Sequence, residues 1–175
     1  MSVFRITELP QRPNRGRLIV PEQVAVQTKV ALLGFRGPDG RHEGLVYWLG
    51  RRVGADTLIL AGYLPQCDHG PQHVLANDSD IGEAVRTARS VGLCVVAQVH
   101  SHPGCDTRHS DGDDRLILMP FNGMFSLVVG DYGRGGMTLD QGIGLHQFQD
   151  GRWVQVPAEC REALCVVPTV MGGLL

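Results

Sequence analysis

The chain has 175 residues, a formal net charge of −2, 43% hydrophobic and 19% charged residues. That length suits one compact domain of roughly 100–200 residues, and the composition excludes wholesale disorder. A general nucleic-acid or anionic-membrane binder carries a basic excess that is absent here, and no apolar run approaches the roughly 18–20 residues that span a bilayer. Five irregularly spaced cysteines with no Cys-x-x-Cys pair do not form a disulfide framework or a zinc ribbon. With no apolar stretch at the N-terminus resembling a secretory signal, the expectation is a cytoplasmic protein.

Residues 1–17 are rich in Pro, Arg and Asn and read as a flexible leader, with a short strand at 3–6. Pro21 opens an approximately amphipathic helix through Phe35. Two strands follow, at 43–50 and 57–65, with a long loop at 66–78. Asp78 or Ser79 caps a helix that Gly92 stops. The apolar run 93–99 reads as a buried central strand. A His- and Asp-rich loop follows, then a short helix closed by Pro120, a strand from Met124, and a hairpin around Asp150-Gly151. The tail from 158 includes one helical turn at 159–164. This order predicts one α/β domain over 18–157, a mixed β-sheet flanked by helices with a C-terminal hairpin.

The chemistry concentrates after the central strand. His100 and His102 stand at i and i+2 of an extended segment, so both imidazoles face one side. Pro103 and Gly104 turn the chain, and Asp113 lies eleven residues after His102, where it can fold back. Two imidazoles, one carboxylate and an open fourth position form a catalytic Zn²⁺ arrangement. With one carboxylate the site keeps a net positive charge, which favours hydroxide near neutral pH. Glu43, leading a strand, is the candidate to take a proton from the water and pass it to a leaving amine. Ser110 is the candidate donor to the developing oxyanion.

Glu43, His100-Ser101-His102-Pro103-Gly104 and Ser110-Asp111-Gly112-Asp113 resemble the motif of the JAMM/MPN (JAB) zinc metalloproteases. The element order is similar from about residue 18 to 155. Gly50 matches the family pattern; Val46 stands where members usually carry Gly. The spacing selects Asp113 over Asp106, Asp111 and Asp114 as the ligand. The resemblance implies an MPN fold, of the cytidine-deaminase-like type. It also implies zinc-dependent hydrolysis of the amide after the C-terminal tail of ubiquitin or a ubiquitin-like protein.

A single short domain is similar to the prokaryotic branch, whose members accompany ubiquitin-activating-like and ubiquitin-conjugating-like proteins, in some cases in antiviral systems. Other members release cysteine from a sulfur-carrier protein, and inactive members serve as interaction modules. A DNA-repair branch shares the His-x-His…Asp set, but the near-neutral charge weighs against it. Loop 66–78 stands where members cradle the tail, and the later insertion of some deubiquitinases is absent. Cys67, His69 and His73 do not form a second metal set by this reading, because Gly70 and Pro71 interrupt the helix that would align the histidines.

Overall fold

The computed structural model describes residues 8–116 and 120–169. The strand expected at 3–6 and part of the helix expected before Pro120 lie outside the described residues. The elements in chain order begin with β1 (Leu18–Pro21), α1 (Glu22–Gly34), β2 (Arg36–Gly37), β3 (Gly40–Arg41), β4 (Leu45–Val53) and β5 (Asp56–Tyr63). They continue with β6 (Asp68–Gly70), β7 (His73–Leu75), α2 (Asp78–Ser90) and β8 (Cys94–Ser101). After a 3₁₀ turn at Asp113–Arg115 come β9 (Phe125–Val129), β10 (Gly144–Gln149), β11 (Arg152–Gln155) and β12 (Leu164–Val167).

Eight strands form one mixed sheet in the order β11-β10-β9-β8-β4-β5-β1-β12. The β8–β9, β1–β5 and β1–β12 pairs are parallel; the others are antiparallel. Alternation along β4 explains why both faces are covered. Val46 and Trp48 pack with Ala25 and Leu32 of α1. Leu45 and Tyr47 point the other way, against Ile81 and Ala84 of α2. Burying a large apolar side chain fully is worth about 1.5–3 kcal/mol, so this sandwich is the main source of stability. The Trp48 Nε1–H donates to Thr28 Oγ1 at 2.8 Å, which satisfies the buried indole and ties α1 to the central strands.

The structure moves several expected boundaries. The central strand runs to Ser101, so His100 belongs to it, while Glu43 precedes its strand by two residues. Loop 66–78 contains the β6–β7 hairpin. The cap of α2 is Asn77, not Asp78 or Ser79: its extended backbone lets the side chain accept from Ser79 N and Asp80 N, and Asp80 answers to Asn77 N. The expected leader is fastened over 8–17, where Gln11 bridges Gln155 and the buried Gln147 and Gln149 donate to the Arg15 and Pro13 carbonyls. Past residue 157 the chain adds the edge strand β12, after a 3₁₀ turn at Arg161–Ala163. The Asp150-Gly151 turn has φ of 52° and 80°, the left-handed pair a tight hairpin needs. Gly50 sits at a bulge where a Cβ would meet the Leu58 carbonyl oxygen at 2.0 Å, while Val46 fills the core under α1.

Candidate metal centre

The end of β8 is paired with the start of β4, Leu45 opposite His100. Just beyond, Ser101 N donates to Gly44 O at 3.0 Å and Gly44 N donates to Ser101 Oγ at 2.9 Å. These bonds hold Glu43 beside the histidines. On its other flank Glu43 N donates to Gly70 O at 2.9 Å, joining it to the β6–β7 hairpin. His42 and His69 share a ring-nitrogen hydrogen bond of 2.7 Å, and His42 also contacts Asp39.

His102 leaves the strand with its N–H on Val129 O. Its Nδ1 lies 2.9 Å from the Asp106 carbonyl oxygen. A carbonyl only accepts, so Nδ1 carries the proton and Nε2 is left with its lone pair, as metal ligation requires. A left-handed turn at Asp131 and Tyr132 (φ 50° and 54°) backs this loop. There Tyr132 N donates to His102 O, and Tyr132 Oη donates to Pro71 O of the hairpin.

The Ser-x-x-Asp spacing makes a reciprocal turn. Ser110 N donates to the Asp113 carboxylate, and Asp113 N donates to Ser110 Oγ at 3.2 Å. The carboxylate is thereby aimed at both imidazoles: Oδ1 is 3.2 Å from His100 Nε2 and Oδ2 is 3.3 Å from His102 Nε2. One ligand atom from each of the three residues lies within 4.8 Å of the others, in the only such group among the described residues.

These residues fit a small divalent cation. Ligands bound at about 2.0 Å in a tetrahedron stand about 3.3 Å apart. His100 is fully buried, and its ring makes no well-formed hydrogen bond: Nδ1 has no partner and Nε2 faces only the Asp113 carboxylate at 3.2 Å. An orphaned buried imidazole is costly unless something else satisfies it.

The electrostatics agree. Burial alone would raise the Asp113 carboxyl, but the imidazoles of His100 and His102 overcome it and hold it well below the ordinary range. Burial lowers His100, which keeps it neutral and able to ligate. At His102 burial pulls downward, and the Asp113 carboxylate outweighs it and raises the ring, so a cation ligated at Nε2 takes the place of a proton there. Glu43 is pushed up to about 7, first by burial, with His102 opposing and Asp113 adding to the rise. A group so placed can both take and return a proton near neutrality.

Glu43, His102, Ser110 and Asp113 line one cleft of about 900 Å³, with His100 buried behind it. Gln72–Leu75 of the hairpin form one wall and Glu8, Leu9 and Gln11 another. Sequence reasoning missed the second wall, because a Pro- and Arg-rich segment gives no periodic signal. It also missed His109 and His146, buried beneath the site. For His146 the available signal was a polar residue inside a buried strand; His109, in the polar loop, gave none. His69 and His73 stand on separate strands, and neither joins Cys67 in a ligand group; His73 faces Asp68 at 3.7 Å. No described helix is long and apolar enough to cross a membrane.

Residues 39–138 match the family described as prokaryotic homologs of the JAB domain. A probable metalloprotease of Sinorhizobium fredii is 25% identical over 150 residues, covering 81% of this chain and 89% of that protein. A Desulfitobacterium hafniense protein solved in solution aligns with a TM-score of 0.62 at 17% identity, over 87% of this chain and 94% of that one. That last similarity is one of fold.

Proposed function

The chain belongs to the prokaryotic JAB-domain family, and from that premise we propose that it is a zinc-dependent peptidase. Its bond is the amide that follows the C-terminal tail of a ubiquitin-like protein, joined to a lysine amine or to a further peptide. The observation that carries this reading is the convergence of His100, His102 and Asp113 beside Glu43 and Ser110 on one cleft. Two imidazoles and one carboxylate with an open position suit zinc among the common divalent ions.

The bound ion would supply Lewis acidity, polarising the scissile carbonyl and making water acidic near neutral pH. Glu43 takes the proton from the attacking water and delivers it to the leaving nitrogen. A C–O bond forms, the C–N bond breaks, and Glu43 ends as it began. The Ser110 hydroxyl, oriented by the Asp113 N–H, donates to the oxygen on which charge develops. Buried His100 keeps water from one side of the ligand set.

Residues of the β6–β7 hairpin and of segment 8–11 line the cleft, and on this reading it takes an extended chain. A flexible tail ending in small residues meets that requirement. On this reading the chain works in the cytoplasm within a ubiquitin-like conjugation system, alongside activating-like and conjugating-like proteins, with neither nucleic acid nor membrane as partner. A role in antiviral defence is part of the same proposal.

The test incubates ubiquitin-like proteins carrying C-terminal extensions with wild type and Glu43→Gln, and measures bound zinc in both. Expected is cleavage after the tail by wild type alone, with equal zinc. Zinc-loaded wild type that cleaves no such fusion, and only a sulfur-carrier–cysteine conjugate, would replace this substrate class. Wild type that binds no zinc would make the chain a non-catalytic module.

A further inference from the structure

Four neighbouring strands carry a polar side chain at one shared register. Tyr47 of β4 pairs with Gln98 of β8, Gln98 with Ser126 of β9, and Ser126 with His146 of β10. Residues paired across strands lie on one face of the sheet. All four are fully buried, where strands of a covered sheet ordinarily carry apolar residues.

Each of the four meets the segment 109–116, which carries Ser110 and Asp113. Tyr47 Oη donates to Leu116 O at 2.6 Å. Gln98 Nε2 lies 3.3 Å from Asp113 O and 3.0 Å from Ser126 Oγ. Ser126 Oγ is 3.0 Å from His109 Nε2, and His109 N donates to His146 Nε2 at 3.3 Å. His109 Nδ1 is 3.0 Å from Asp114 Oδ1. A proton on His109 Nδ1 and a lone pair on Nε2 give each of these contacts one donor and one acceptor. Gln98 pays for its place with an Oε1 that has no partner, which a core valine would avoid.

We propose that this cross-strand row, together with His109, is the positioning device that holds Asp113 and Ser110 in register with the two histidine ligands. The inference rests on the reading of His100, His102 and Asp113 as metal ligands. A three-residue 3₁₀ turn has little rigidity of its own, and segment 109–116 has no ladder to a neighbouring strand. These side chains tie it to the sheet. His109 also backs a ligand directly: its ring stands edge-on to His100 at 5.9 Å, with His146 and Trp153 at 4.9 and 5.1 Å. Groups that orient ligands set metal affinity, and losing one typically costs about 10–100-fold.

The test titrates metal-free wild type, His109→Leu, His109→Gln and Tyr47→Phe with cobalt(II) against a chromophoric chelator, and melts each metal-free. His109→Leu weakens cobalt binding by about 10–100-fold. His109→Gln, whose amide oxygen can receive the Ser126 hydroxyl, recovers part of it. Tyr47→Phe gives a smaller loss with a melting temperature near that of wild type. Lower melting temperatures with unchanged cobalt affinity would overturn the proposal. Wild type that binds no cobalt would overturn the ligand reading along with it. If His109→Leu does not fold, Tyr47→Phe and Ser126→Ala carry the same comparison, and unchanged affinity in both overturns the proposal.

Discussion

The side of the cleft that carries Asp113 is fastened to the sheet by buried side chains from β4, β8, β9 and β10. The side that carries Glu43 is held by backbone bonds to Ser101 and Gly70, and leans on a two-stranded hairpin. The hairpin is joined to the rest by the His42–His69 contact and the Tyr132 hydroxyl, and its Val74 is buried with Leu45, Tyr47, Ile81 and Leu116. A two-stranded hairpin is marginally stable by itself. On the proposed reading the first side fixes the ligand geometry and the second borders the substrate chain. Substitutions on the first side should therefore register in metal binding, and those on the second in turnover and KM.

The largest effect is expected on the ligand side. Asp113→Ala removes one ligand and leaves two imidazoles, so zinc content and peptidase activity fall together to background. Elemental analysis after dialysis checks it. Activity lost while zinc is retained would assign Asp113 a role other than ligation, and would blur the contrast between the two sides.

Glu43→Gln probes the opposite side. It keeps the shape and should leave zinc binding intact while costing about 10²–10⁴ in rate. The pH dependence follows from the raised carboxyl. As a base Glu43 acts when ionised, so kcat/KM falls as pH falls through its pKa. That value is about 7 without a cation nearby, and a bound cation's positive charge moves it lower. The acid limb is therefore expected below 7 and absent in Glu43→Gln. An identical limb in the variant would assign the titration to another group.

Ser110 belongs to both descriptions, because its Oγ accepts from Asp113 N while the residue also lines the cleft. Ser110→Ala is expected to lower kcat by about 10²-fold through the lost oxyanion donor. A zinc loss larger than the loss in kcat would show that its cap on the ligand turn matters more.

How much of this was legible depended on distance along the chain. His100, His102, Ser110 and Asp113 fall within fourteen residues, and strand alternation plus one turn suffices to bring them together. Glu43 required only that its strand neighbour the central one. The row Tyr47, Gln98, Ser126 and His146 spans four strands, and its register depends on packing that no local pattern states. The docked strap at 8–17 was hidden for the same reason, since its bonds reach across more than 130 residues to Gln147 and Gln149. Asn77 was a nearer miss. Asp78 and Ser79 are equally good caps by type, and only the backbone geometry at the helix start distinguishes them.

Asn77 also supplies the mildest way to sharpen the contrast. It caps α2 two residues after the hairpin strand β7 ends at Leu75, so the hairpin's exit and the helix start share one turn. Asn77→Ala should cost about 1 kcal/mol, or roughly 2–4 °C in Tm for a chain of this size. Fraying there reaches Gln72–Leu75 of the cleft lining first; Val74 shares a cluster with Tyr47, but the Gln98, Ser126 and His109 contacts around Asp113 involve other strands. KM for a tailed substrate should therefore rise slightly while zinc affinity stays at the wild-type value. A matching loss of zinc affinity would mean that the two sides are mechanically one.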